Sequence, residues 1–243
     1  RDRYFRMKAY NYLMEDLINL GTKNLLKPLS YGENPHQKAY LGSKDYDLSF
    51  NNIRDIEPGL KLVNSRKKTN SICIIKHQIP CCYMESELTH GNELLQRAFE
   101  IDSTSAFGGV VISNNDFEPS TFPKKFIDLI VNPNGTGKAR KTSLLPKPRK
   151  SHLNIYPTFA GALVQEEDQK ISLAYEVKAG KPIDYELAQF SERLIKIFKS
   201  NAIIITTKTS SGDLILLGQG SGEPNRIDCF TKLAFPRALE ASS

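Results

Sequence analysis

The chain of 243 residues contains no tryptophan, no internal repeat and only four cysteines, Cys73, Cys81, Cys82 and Cys229. So few thiols in a chain of this length make no disulfide framework. They make no zinc pattern either: Cys81 and Cys82 are adjacent, whereas tetrahedral ligation favours C-x-x-C, where the backbone can turn both sulfurs inward. Buried, reduced thiols are expected. No apolar run approaches the roughly 18 residues of a membrane helix. The opening RDRYFRMKAY has no apolar signal-peptide core. The expected setting is the cytoplasm, with no membrane contact.

What is present is ordinary globular composition, 40% hydrophobic and 25% charged, in a chain long enough to bury a core. The net charge of +6 suits an anionic small substrate, a nucleic acid, or no particular partner. Much of the excess lies in residues 134–152, NGTGKARKTSLLPKPRKSH, where Lys138, Arg140, Lys141, Lys147, Arg149 and Lys150 stand without an acid. Proline and glycine break regular structure there, so a surface loop or linker is expected. It lacks interleaved aromatics to stack on bases, and no nucleic-acid partner is expected.

Residues 7–20 carry apolar positions at three- and four-residue steps, which predicts an amphipathic helix. Residues 31–41 are turn-rich and run into a short strand. The stretch LSFNNIRDIEPGLKLV reads as a loop followed by a helix from about Glu57. The continuous apolar run at 71–75 reads as a buried parallel strand ending at Lys76-His77. Further strands are expected at GGVVIS, GALVQ, AIIITT and DLILLG. Helices are expected at LTHGNELLQRAFE, at 183–198 and from Asn225 to about Leu239, with a short helix or mixed segment at FPKKFIDLIV. Strands alternating with helices predict an α/β fold with a mixed, mostly parallel sheet and flanking helices. Ligands bind such sheets beyond the carboxyl ends of strands, where Lys76-His77 and the residues from Gly218 onward are expected to sit.

Four clusters carry chemistry. Lys76-His77 joins a cation to an imidazole, a pair suited to proton transfer; the plainer reading is two surface residues after a strand. Residues 31–37, YGENPHQ, are dense in polar groups, yet Asn-Pro also simply punctuates a turn. The paired glycines of Ser105-Ala106-Phe107-Gly108-Gly109 permit close ligand approach, or only a tight turn. Residues 218–226, GQGSGEPNR, read as a glycine-rich loop opening a helix, with Arg226 in its first turn, an arrangement suited to an anion or a carboxamide. It is not a dinucleotide fingerprint, which needs a βαβ unit and an acid about 20 residues on. Nor is NPNGTGKA a P-loop: its glycines are too close together, and Ala139 stands where Ser or Thr would hold Mg²⁺.

Taken in order, SYGENPHQ, FNN, IKHQIPCC, SAFGG, AGALVQ, KSNAI and GQGSGEPNR resemble the motif series of the purine-synthesis family whose members join a formyltransferase for aminoimidazole carboxamide ribonucleotide (AICAR) to an IMP cyclohydrolase. The matches span residues 7–239 and cover the formyltransferase part. The resemblance implies cytidine-deaminase-like α/β subdomains. It also implies an intertwined homodimer with shared active sites, and transfer of a formyl group from 10-formyltetrahydrofolate to the 5-amino group of AICAR without a metal. It implies Lys76 and His77 as the catalytic pair, with Asn201 contacting the reacting groups. Tyr31, Asn52, Phe107, Gly108 and Arg226 match substrate contacts, and Asp128 an acid on the folate side.

The sequence departs from the family at Ser30 for an Arg, Ile79 for an Asn, Cys82 for a Gly and Glu223 for a Gln. Its basic segment is shorter, and the family's F-F-P-F region, terminal R-H segment and cyclohydrolase domain are not matched. The expected layout is a first subdomain over 1–133, a basic linker over 134–152 and a second subdomain over 153–243.

Overall fold

The apolar run at 71–75 becomes the central strand of a sheet. It lies in β3 (Asn70–Lys76), where Ser71 to Ile75 are all buried. A computed structural model describes residues 27–42, 46–66, 69–118, 126–147, 153–159, 161–172 and 174–242. The helix expected over 7–20 lies outside them. The described residues divide into two compact units, one within 1–53 and 149–169, the other within 54–148 and 170–243.

In the larger unit β3 folds back at once into β4 (Ile79–Ser86), with Lys76 opposite Ile79. On its other side β3 pairs antiparallel with β5 (Val110–Ser113). β6 (Leu129–Asn132) and β7 (Lys141–Leu144) extend the sheet in parallel. Beyond β4 lie β11 (Leu214–Ser221) and the edge strand β10 (Ala202–Lys208), both in antiparallel pairings. The order is β10-β11-β4-β3-β5-β6-β7. The fold is α/β with a mixed sheet, as expected, but β3 is parallel to neither neighbour, and four of the six pairings are antiparallel. A strand covered on both faces reads as one apolar run in either direction, so the run reports burial, not polarity.

Alternation along β3 serves two layers. Ile72 and Ile74 join Cys82, Met84, Val111 and Ile130 beneath Leu94, Leu95, Ala98 and Phe99 of α2 (Gly91–Ile101). On the opposite face Tyr83 stacks on Phe190 of α4 (Tyr185–Ile195), ring centres 5.1 Å apart, and donates to the Leu62 carbonyl of α1 (Phe50–Val63). Burying each of these large side chains is worth about 1.5–3 kcal/mol. The short α3 (Ser103–Ala106) follows α2, capped by Asp102.

Several expectations are corrected. α1 starts at Phe50, not near Glu57, with Pro58 inside it. The Ser49 hydroxyl accepts from the Asn52 amide while Asn52 Oδ1 accepts from the Ser49 amide, a reciprocal cap that starts the helix earlier than the proline suggests. The described part of FPKKFIDLIV is not helical but leads into β6, all four of whose residues are buried. The basic segment contains β7, an edge strand, because its prolines follow the paired residues rather than interrupting them. The C-terminal helix is three contiguous pieces: α5 (Arg226–Asp228), a π-helical stretch (Cys229–Ala234) and α6 (Phe235–Ala241).

In the smaller unit, β1 (Lys27–Pro28) pairs with β2 (Tyr40–Leu41), and β8 (Leu153–Thr158) with β9 (Gly161–Glu166), both antiparallel. All four cysteines are buried free thiols. Among the described residues no helix is long and apolar enough to cross a membrane.

Candidate active site

Strand register gathers the candidates of the larger unit at one edge of the sheet. β3 reaches that edge at Lys76, where β5 starts opposite Ile75 and β6 starts opposite Val110. This brings Phe107-Gly108 and Asp128, which precede β5 and β6, beside the end of β3. β11 begins against Glu85, at the far end of β4, and runs back antiparallel. Its end and the start of β10, and so Asn201 and Arg226, therefore return to the same edge. β11 pairs with β4 only at Leu214 and Ile215. The ladder is thus discontinued toward this edge, between the strand that starts after His77 and the strand that leads to Arg226.

The β3–β4 connection is a two-residue turn whose central residues, His77 (φ 54°) and Gln78 (φ 66°), are both left-handed. That is the pattern of a type I′ hairpin, which favours Asn-Gly. Non-glycine residues held there cost on the order of 1–3 kcal/mol each, and such strain concentrates at functional sites. The turn leaves His77 exposed at the tip. Lys76 Nζ donates to the Phe107 carbonyl at 2.9 Å. Phe107 is 54% exposed and lies against Phe126, centres 5.7 Å apart. Gly108 has φ +71°, and its amide donates to the Phe126 carbonyl at 2.8 Å. Asp128 donates its amide to the Gly109 carbonyl, and its carboxylate lies 3.4 Å from Arg140. Lys76, Phe107, Gly108 and Asp128 thus form one connected surface.

Two residues that sequence reasoning missed complete the turn. The Gln78 amide donates to Asp55 Oδ1 at 2.7 Å, and Arg54 Nη2 donates to Gln78 Oε1 at 2.8 Å. Burial pushes the Asp55 carboxyl above its ordinary value, outweighing the Gln78 amide, the His77 charge, the His77 amide and Arg54, which all lower it. An acid on a helix carries no local mark of this role. The demand comes from a turn 22 residues later, whose unusual sequence was the available signal.

Asn201 and Arg226 form the second group. Arg226 Nε donates to Asn201 Oδ1 at 3.3 Å, while Asn201 Nδ2 donates to the Glu223 and Pro224 carbonyls, each at 3.0 Å. The glycine-rich loop expected here is mostly strand: Gly218 and Gly220 lie inside β11. A Cβ on Gly218 would meet the Ala234 carbonyl oxygen at 2.1 Å, and one on Gly220 the Cys229 carbonyl oxygen at 2.5 Å. These glycines admit the C-terminal helix, not a ligand. Gly222 (φ +75°) makes the turn.

Tyr31 and Asn52 belong to the smaller unit. Residues 31–37 close on themselves: the Gly32 amide donates to the Gln37 carbonyl at 2.8 Å, and the Asn34 amide to Gln37 Oε1 at 2.7 Å. A shallow cleft of about 230 Å³ borders the loop, lined in part by Ser30, Pro35, His36 and Gln37. Tyr31 is 39% exposed, whereas Asn52 is buried by its capping role. Of the substituted positions, Ser30 and Ile79 are exposed, and Cys82 is buried with Sγ 3.9 Å from the Asp102 carbonyl.

Residues 3–237 match the family described as the AICARFT/IMPCHase bienzyme. The chain belongs to that family. It is 32% identical over 236 residues to the bifunctional purine biosynthesis protein PurH of Brachyspira hyodysenteriae, covering 84% of this chain and 45% of that protein. Against PurH of Thermotoga maritima it is 31% identical over 227 residues, 86% of this chain and 48% of the relative. Against PurH of Clostridium perfringens the figures are 29% over 261 residues, 91% and 50%. The chain thus spans about half the length of the curated relatives it matches, and it is a PurH-like member of a purine-biosynthesis family.

Proposed function

We propose that this chain carries the formyl-transfer half of its family's chemistry, moving a formyl group from 10-formyltetrahydrofolate to the 5-amino group of AICAR. The amine nitrogen attacks the formyl carbon, and the bond from that carbon to N10 of the folate breaks. His77 takes the proton the amine loses and returns it to N10 as that nitrogen leaves. The Lys76 ammonium stabilises negative charge on the formyl oxygen or on the leaving nitrogen. The ring carboxamide makes the amine a poor nucleophile, so placement of the pair carries much of the rate. Asn201 contacts the reacting groups. Arg226, Phe107 and Gly108 contact the nucleotide and Asp128 faces the folate; Tyr31 and Asn52 are substrate contacts by the family resemblance alone. No metal enters the reaction.

The observation that carries this reading is His77 exposed at the tip of a left-handed turn, beside a Lys76 ammonium tethered 2.9 Å from the Phe107 carbonyl. A homodimer in the cytoplasm is part of the proposal. The β8–β9 hairpin exposes Leu153, Ile155, Tyr156, Phe159, Leu163 and Val164, more apolar surface than a lone two-stranded ladder stabilises in water. The test is a folate-coupled formyl-transfer assay on the chain beside a His77→Ala variant. Product from the parent that falls about 100-fold or more in the variant supports the reading. Product that does not depend on His77 sinks it.

A second reading, nucleotide binding or dimer assembly without turnover, is favoured by Ser30, which stands where the family has an Arg. Calorimetry with AICAR tests it: binding that is absent, or unchanged by Arg226→Ala, counts against it.

A further inference from the structure

We propose that Asp55 is a positioning residue, whose carboxylate holds the His77-Gln78 turn in the left-handed conformation that presents the His77 imidazole. In a two-residue hairpin the amides of the central residues face away from the ladder, so their acceptor is water or a group from elsewhere in the protein. Asp55 Oδ1 supplies one to Gln78 at 2.7 Å, and Arg54, adjacent on α1, fixes the Gln78 side chain at 2.8 Å. Gln78 does not favour φ above zero as Gly or Asn does. The turn is therefore held by its surroundings rather than by its own sequence. Lys76 is fixed independently through the Phe107 carbonyl. The two members of the proposed pair are thus secured by different anchors, and loss of Asp55 displaces the imidazole while leaving the ammonium in place.

The proposal rests on the reading of His77 as proton acceptor, and the experiment separates the two. Amide exchange by NMR is followed at Gln78, alongside kcat and KM, in the full chain and in Asp55→Asn, Asp55→Ala and Asp55→Ala/Gln78→Gly. Asp55→Asn keeps an oxygen acceptor and stays within about threefold of the parent in both readouts. Asp55→Ala loses roughly tenfold or more in Gln78 protection. Its kcat falls about 100-fold, the scale of a misplacement near 1 Å, while KM stays within about threefold. Glycine adopts the left-handed conformation without steric cost, so Gln78→Gly restores kcat to within about tenfold of the parent in the Asp55→Ala background. Unchanged protection at Gln78 in Asp55→Ala overturns the proposal. So does a kcat that Gln78→Gly does not restore, since Asp55 would then act through its charge. If the parent makes no product, the formyl-transfer reading fails, and Gln78 exchange still decides whether Asp55 holds the turn.

Discussion

Gly218→Ala tests whether the glycines of the GQGSG segment serve helix packing. Gly218 has no positive φ, so alanine suits its backbone and should by itself add about 0.4–1 kcal/mol by restricting the unfolded chain. Its Cβ, however, would lie 2.1 Å from the Ala234 carbonyl oxygen and 2.8 Å from the Ala238 amide nitrogen. Both are backbone atoms of the C-terminal helix, so no side chain can rotate away. Restoring normal contact distance moves that helix by roughly 1 Å. Overpacking of this kind costs about 1–3 kcal/mol, and the upper end applies where backbone must yield. The net loss is about 2 kcal/mol. With a urea m-value near 3 kcal/mol/M for a chain this size, the midpoint should fall by roughly 0.7 M. Gly212→Ala is the comparison: φ is +89° with nothing within 4 Å, so it carries backbone strain of order 1 kcal/mol and no packing penalty. A Gly218→Ala midpoint at or above the parent's would refute the packing argument and return the motif to ligand binding.

Two further predictions concern buried charge. Glu85 is 1% exposed and accepts from Tyr83 at 2.6 Å, from Arg193 at 3.1 and 3.2 Å, and from Arg66 at 3.3 Å. Arg193→Met should destabilise by about 3–5 kcal/mol by leaving that carboxylate underpaired, with partial recovery on adding Glu85→Gln; denaturation of the single variant showing a loss under about 1 kcal/mol would count against the network. Asp213 is also buried; burial alone would raise its carboxyl, but Ser86, Ser211 and Arg97 outweigh burial and hold it below the ordinary value. A depressed folded pKa gives stability that is present above the unfolded value of about 3.9 and is lost as pH falls through the folded one. Asp213→Asn should therefore flatten the acid side of the stability curve below about pH 4, and a parallel decline in both proteins would show that other carboxylates dominate.

Local pattern made some of this architecture legible. The 71–75 run, the helix over 183–198 and the strands AIIITT and DLILLG carry their pattern in the chain itself, whereas the last residues of β11 read as a glycine-rich loop. β4 carries no such pattern. Ile-Pro-Cys-Cys-Tyr-Met-Glu-Ser contains a proline and a carboxylate, and it reads as a strand only once Glu85 is paired with Arg66 and Arg193, residues 19 and 108 positions away. The hairpin was hidden for a related reason: His-Gln is not the sequence a left-handed turn favours, and Asp55 and Arg54, from another element, hold it. α1 starts before Glu57 because Ser49 and Asn52 cap it at Phe50, and Pro58 lies inside the helix.

The same distinction governs the site. Lys76-His77, Phe107-Gly108 and Arg226 stand in separate motifs, Asn201 and Asp128 are implied by the family resemblance alone, and nothing in their spacing joins them. Antiparallel pairing does. Because β4 returns along β3 and β11 returns along β4, segments more than 100 residues apart finish at one edge. A mostly parallel sheet would also collect functional residues at its carboxyl ends, but from loops after every strand. Here the contributions alternate between a strand end, as at Lys76, and strand starts, as at Val110, Leu129 and Ala202. Strand direction, the one feature an apolar run cannot encode, therefore decides which loops can meet. At that edge β3 reverses within two residues, through the left-handed turn that leaves the His77 imidazole exposed.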